Sequence, residues 1–157
     1  MNDTPSAIPV YLDANTFIYA IESSGEEGEA MRTLLTALRE HRGAAVTSEL
    51  TLAEVLAPSS GVRRDGDLKR LYLNLLVWSG FVRLDAVSRD VLFDTTKLRA
   101  VAPRKLSLPD AIHLCTAVRA RCRYFVTRDK GFSTPEGMQV VRPDRDGAKM
   151  LVEALST

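Results

Sequence analysis

The sequence is poor in the residues that staple or metallate small proteins, with two cysteines and two histidines in 157 residues. Two cysteines are too few for a disulfide scaffold, so Cys115 and Cys122, in one predicted helix, read as buried free thiols suited to a reducing compartment. No apolar run approaches the roughly 18 to 20 residues that span a bilayer. The start, MNDTPSAIPVYLD, lacks the basic region and long apolar core of a secretory signal. A cytoplasmic location is the expectation. There is no internal repeat or low-complexity tract, and 45% apolar with 26% charged residues at this length suits one domain rather than two. Residues 1–157 are expected to form that domain, with a core over about 8–142 and a closing helix over about 144–155.

Positive charge is missing from residues 1–31, which carry six acids and no Lys or Arg. All 21 basic residues follow, against 14 acids, so the net charge of +1 conceals a basic remainder of the chain. Nine of them fall in residues 97–130, where the only acids are Asp110 and Asp129. Sixteen are Arg and five Lys, a bias that suits bidentate phosphate contacts, although a solvated helix face would look the same.

Apolar runs alternate in type along the chain. IPVYL (8–12), AAVT (44–47), FVRL (81–84), YFVT (124–127) and MQVV (138–141) read as short strands. Between them, helical spacing predicts helices over 17–22, 26–41, 48–57, 67–79, 88–101 and 107–120, with a last one over 144–155. Ser107 is placed to cap its helix, with Pro109 in the first turn and Asp110 reaching back as in a capping box. Strands separated by helices predict an α/β protein, a three-layer α/β/α sandwich around a mostly parallel five-stranded sheet. In such folds ligands bind beyond the carboxyl ends of the strands.

Acids stand at those ends. Asp13 follows the first strand directly, and Asp129 follows the fourth by two residues after Thr127. Glu54 interrupts the apolar run LTLAEVL, and Asp110 lies in a helical first turn. Each has an ordinary alternative: cap, turn residue or solvated helix position. Together they can converge on one sheet edge, where their repulsion calls for a cation. Hard oxygen ligands without a Cys or His cluster select Mg²⁺ or Mn²⁺, ions that polarise phosphoryl oxygens and lower the pKa of bound water.

Four segments in order, VYLDANTFIY (10–19), TSELTLAEV (47–55), LSLPDAIHL (106–114) and FVTRDKGF (125–132), resemble the PIN-domain nucleases, in particular the VapC toxins of VapBC toxin–antitoxin systems. The resemblance runs from about residue 8 to 142. It implies that Asp13, Glu54, Asp110 and Asp129 form the acidic metal-binding and catalytic set, with Asn15 and Thr127 as supporting polar residues. It also implies a PIN-like fold, Mg²⁺- or Mn²⁺-dependent endoribonuclease activity on RNA, a homodimer and a cognate VapB-like antitoxin. Arg104, Lys105, Arg128 and Lys130 are the candidate RNA contacts beside the acids. The long stretch 57–79, with the charged insert RRDGDLKR (63–70), departs from the family pattern.

Two other functions are open at this stage. The DANT sequence (13–16) approaches the strand-end motif of small-molecule phosphohydrolases of the haloacid-dehalogenase type, but Asn15 stands where their second acid belongs. A non-catalytic interaction subunit would bind a partner through apolar surface and take up no metal. His113, three residues beyond Asp110, reads as a packing or hydrogen-bonding residue, or one that supports the site from behind.

Overall fold

Val10, Tyr11 and Leu12 are each fully buried, because the strand they form, β1 (Val10–Leu12), has a neighbour on both sides and helices over both faces. The structure, a computed structural model, describes residues 7–57 and 66–157. The other strands are β2 (Ala45–Ser48), β3 (Val82–Asp85), β4 (Tyr124–Val126) and β5 (Gln139–Val141). Every pairing is parallel, in the order β3-β2-β1-β4-β5, which sharpens the expectation of a mostly parallel sheet. The chain proceeds from β1 outward through β2 and β3, then returns to the other side of β1 for β4. The switch point of the sheet therefore lies between β1 and β4.

Strand alternation divides the core in two. Val10, Leu12 and Val126 point into one apolar layer with Phe17 of α1 (Ala14–Glu22), Met31, Leu34 and Leu38 of α2 (Glu26–Glu40), and Leu151 of α7 (Arg145–Leu155). Tyr11, Val46 and Phe125 point into the other, against Leu114 and Ala117 of α6 (Leu108–Arg119) and Leu98 of α5 (Arg89–Val101). The three-layer α/β/α sandwich expected from the strand–helix alternation is the fold observed. Among the described residues no helix is long and apolar enough to cross a membrane.

Short helix α3 (Leu50–Leu56) leaves the end of β2 and crosses the sheet edge, and α4 (Gly66–Leu73) continues into a π-helical turn, Asn74–Trp78. The first part of the charged insert, Arg63-Arg64-Asp65, lies outside the described residues. Leu71, Val77 and Trp78 are exposed, so this face is not core.

Three boundaries depart from the sequence reading for identifiable reasons. Helix α1 starts at Ala14 rather than Phe17, because Asp13 caps it: its carboxylate accepts the Thr16 N–H at 3.3 Å. Cys122 lies outside α6, because Ala120 ends the helix and Arg121 takes a left-handed φ of 55°. Both thiols are buried and free, and burial pushes that of Cys122 up to about 12. Finally, α7 begins one residue after its Asp144 cap, whose carboxylate accepts the Gly147 N–H.

Gly28, inside α2, sits at a close approach between α2 and the end of α1. A Cβ built there would lie 2.1 Å from the Ser23 carbonyl oxygen and 2.8 Å from that of Tyr19. Helix propensity alone predicts that Gly28→Ala stabilises the chain by about 1 kcal/mol, whereas the contact predicts a loss of about 1–3 kcal/mol from overpacking. We expect the loss, measured as a lower midpoint in urea denaturation.

Candidate metal centre

The tight link between β1 and α1 fixes the central carboxylate. Asp13 continues the ladder, donating its N–H to the Val126 carbonyl at 3.3 Å, and then turns the chain into α1 as its N-cap. The residue is only 9% exposed. Burial pushes its pKa up to about 6, opposed by hydrogen bonds from the Thr127 hydroxyl and the Thr16 and Asn15 backbone N–H groups and by the nearby His113. Asn15 thus supports the acid through its backbone. Thr127 also accepts the Asp129 N–H at 3.2 Å, so one hydroxyl ties the two strand-end acids together.

Asp110 occupies the first turn of α6, where Ser107 accepts its backbone N–H at 3.2 Å. Only this half of the expected capping box forms, and the half-buried carboxylate has no hydrogen-bond partner among the described residues. Glu54, on α3, has a side chain 32% exposed and accepts from His113 Nε2 at 2.8 Å. His113 is buried one turn beyond Asp110 on the same helix, so a single bond joins the elements carrying two of the acids.

The other ring nitrogen of His113 meets the Tyr11 hydroxyl at 2.6 Å, and that hydroxyl accepts the Ser48 N–H at 3.1 Å. Tyr11 stacks on Phe125 with centroids 4.8 Å apart, and Phe125 on Phe132 at 4.6 Å. Tyr11 is the participant that sequence reasoning missed. Its position two residues before Asp13, on the opposite face of β1 from Val10 and Leu12, was the available signal.

Asp129 is in the opposite state from Asp13. The Gly131 N–H, at 2.9 Å, and the Arg104 guanidinium, at 2.5 Å, hold its carboxyl below the ordinary range. Arg104 can lie there because Gly131 lacks a side chain; a Cβ would meet Arg104 at 2.8 Å. Arg104, predicted as an RNA contact, therefore spends part of its guanidinium on an acid of the same edge. Arg128 lies 5.9 Å over the Tyr19 ring, and Lys105 and Lys130 are exposed beside these residues in sequence. Arg119 instead pairs with Asp94 at 2.7 Å and Asp90 at 3.5 Å, binding α6 to α5 rather than facing the acids.

Among the described residues no three His, Cys, Asp or Glu side chains form a ready-made ion cage. The chemistry of the donors nevertheless fits a hard divalent cation. Among the described residues no basic side chain is bonded to Asp13, a desolvated carboxylate whose three hydrogen-bond donors do not offset the burial. One turn away, the Thr16 hydroxyl is buried without a hydrogen-bond partner among the described residues. A cation bound by Asp13, Glu54 and Asp110 would answer this unbalanced charge, with Asp129 held nearby in ionised form.

Asp13 ends β1 at the switch point of an open parallel sheet, the place where proteins of the α/β class bind their ligands. The PIN-domain family profile matches residues 10–137, and the chain belongs to the PIN-domain family. No curated protein matches the chain. Among solved structures it is similar to a toxin–antitoxin complex from Klebsiella pneumoniae, with 28% identity, a TM-score of 0.59, and 85% of this chain and 97% of that chain covered. Two more distant similarities bear on the fold alone. VapBC2 from Rickettsia felis, bound to a DNA fragment from its promoter, shares 17% identity at a TM-score of 0.62, covering 86% and 98% of the two chains. FitAB bound to an IR36 DNA fragment shares 16% at 0.59, covering 85% and 94%.

The state of Asp13 makes apo-protein stability depend on pH. Because its folded pKa is about 6 against 3.8 for the free group, the stability it permits is fully present below about pH 4. That stability is lost as pH rises through 6, when ionisation is easier in the unfolded chain. At one unit per 1.36 kcal/mol the cost at pH 7.5 is about 2–3 kcal/mol. In chelator, Asp13→Asn should therefore be the more stable protein at pH 7.5 by up to that amount, with the gap closing towards pH 4. Urea denaturation at both pH values measures it, and a gap that widens on acidification would reverse the sign argued here.

Proposed function

We propose that this PIN-domain protein is a Mg²⁺- or Mn²⁺-dependent endoribonuclease and the toxin of a type II toxin–antitoxin pair, of the VapC type, working as a cytoplasmic homodimer. The observation that carries the reading is the buried, uncompensated Asp13 carboxylate at the sheet's switch point, with Glu54 and Asp110 on the adjoining helices. Similarity to the Klebsiella toxin–antitoxin complex over nearly all of that chain supports the toxin assignment.

In this reading Asp13, Glu54 and Asp110 hold the cation, with Asp129 at the rim and Asn15 and Thr127 orienting the carboxylates. When bound, a hard divalent ion supplies Lewis acidity toward a phosphoryl oxygen and a more acidic water. The chain's own residues do the rest. Thr127 keeps Asp13 and Asp129 in register by bonding both. Arg128, Lys130 and Lys105, with the Arg104 donors that Asp129 leaves free, draw the RNA backbone to the acidic edge by charge. An antitoxin that lays a basic side chain among the acids would block the same edge by the same complementarity. Exposed apolar side chains, Leu71, Val77 and Trp78 on α4 and its π-helical turn and Leu92, Phe93 and Val118 on α5 and α6, are available to protein partners.

Incubation of the purified chain with total RNA and Mn²⁺, followed by mapping of the cut ends, tests the activity. We expect discrete cuts that chelator abolishes and that Asp13→Asn or Asp110→Asn slows by about 100-fold or more, the kinetic equivalent of losing several kcal/mol of transition-state stabilisation. Equal cleavage by Asp13→Asn, or none by the wild type, would sink the proposal.

A further inference from the structure

We propose that His113 is a positioning residue for Glu54, and that the Tyr11 hydroxyl sets the imidazole tautomer that does it. The inference rests on Glu54 serving the cation, as argued above, and adds to that reading a buried relay from β2 through β1 and α6 to α3.

The direction of each hydrogen bond follows from donors and acceptors. Ser48 N–H can only donate, so the Tyr11 oxygen accepts it at 3.1 Å. A phenol is a donor as well as an acceptor and keeps its proton at neutral pH. We assign that proton to His113 Nδ1, at 2.6 Å, rather than to the neighbouring Thr47 hydroxyl, which already bonds the Leu12 carbonyl and Thr51. A neutral imidazole that accepts at Nδ1 carries its hydrogen on Nε2, and Nε2 lies 2.8 Å from Glu54 Oε2. With both nitrogens committed, His113 presents no lone pair to an ion. Its chemistry is spent on the carboxylate.

Glu54 needs such a partner. It sits on a helix of 7 residues at the sheet edge, with a side chain 32% exposed and three rotatable bonds. An isolated carboxylate there would sample several rotamers. The imidazole removes that freedom at one oxygen and leaves Oε1 available. The imidazole is itself fixed: His113 is 4% exposed, meets the Tyr11 ring edge-on with centroids 5.8 Å apart, and rests on the Tyr11, Phe125 and Phe132 stack. Because His113 and Asp110 share a turn of α6, the bond also sets Glu54 relative to a second acid of the set.

Three variants test this: His113→Leu removes both bonds, His113→Gln keeps an amide donor for Glu54, and Tyr11→Phe removes only the hydroxyl that sets the tautomer. Calorimetric Mn²⁺ titration of the RNA-free protein is the first readout, since outer-sphere partners of metal ligands are worth about 10–100-fold in affinity. We expect Mn²⁺ binding weakened at least about tenfold in His113→Leu, within about threefold of wild type in His113→Gln, and intermediate in Tyr11→Phe. For RNA cleavage, kcat should fall in the same order with KM for RNA little changed. If His113→Leu does not fold, the comparison of His113→Gln with Tyr11→Phe carries the test. Wild-type affinity in Tyr11→Phe and His113→Leu, or a His113→Gln protein as impaired as His113→Leu, would overturn the proposal, as would a wild type that takes up no Mn²⁺. Because the titration contains no RNA, a series whose Mn²⁺ affinities fall in this order, with a wild type that cuts nothing, would retain the positioning role and reject the nuclease.

Discussion

Everything at the sheet edge depends on one carboxylate being kept out of water. Asp13 must end β1, whose residues are covered on both faces, and it must also cap α1, which starts at the next residue. These two backbone demands place the acid where solvent hardly reaches it, and three hydrogen bonds do not make up for the lost hydration. A fold that only needed a cap could have used Ser or Asn at no such cost. An acid at this position favours a cation.

The surrounding polar groups are arranged around that demand in two different ways. On the β4 side, Asp129 is stabilised in its charged form by the Gly131 N–H and by Arg104, and Thr127 bridges it to Asp13. On the β2 side, Glu54 and Asp110 have no Lys or Arg bonded to them among the described residues; Glu54 is met instead by the imidazole of His113. Basic charge is thus concentrated at the rim, and the centre is left to carboxylates. The proposed ion site and polyanion approach surface require such a separation on a chain whose net charge is +1.

Much of the architecture was legible in the sequence because it is local. Buried strands such as VYL and YFV announce themselves as apolar runs, and the strand–helix alternation dictates layers. The four acids were visible for the same reason, each adjoining a strand end or helix start. What was hidden is either non-apolar or non-local. The first turn of α1 holds Ala14, Asn15 and Thr16, which show no apolar periodicity, so the helix start could be found only through the cap. The π-helical turn at Asn74–Trp78 slips the register of an otherwise regular pattern. Tyr11 meets His113, and Arg104 meets Asp129, across separations of 102 and 25 residues that spacing rules do not reach.

The carbon-13 resonance of the Asp13 carboxyl, followed against pH in metal-free protein and again with Mg²⁺, tests the account most directly. It predicts a midpoint near 6 without metal, reflecting burial, and a midpoint displaced well below the ordinary carboxylate range when Mg²⁺ is present. A midpoint near the ordinary value of 3.8 in the metal-free chain, or one that Mg²⁺ leaves unmoved, would contradict it.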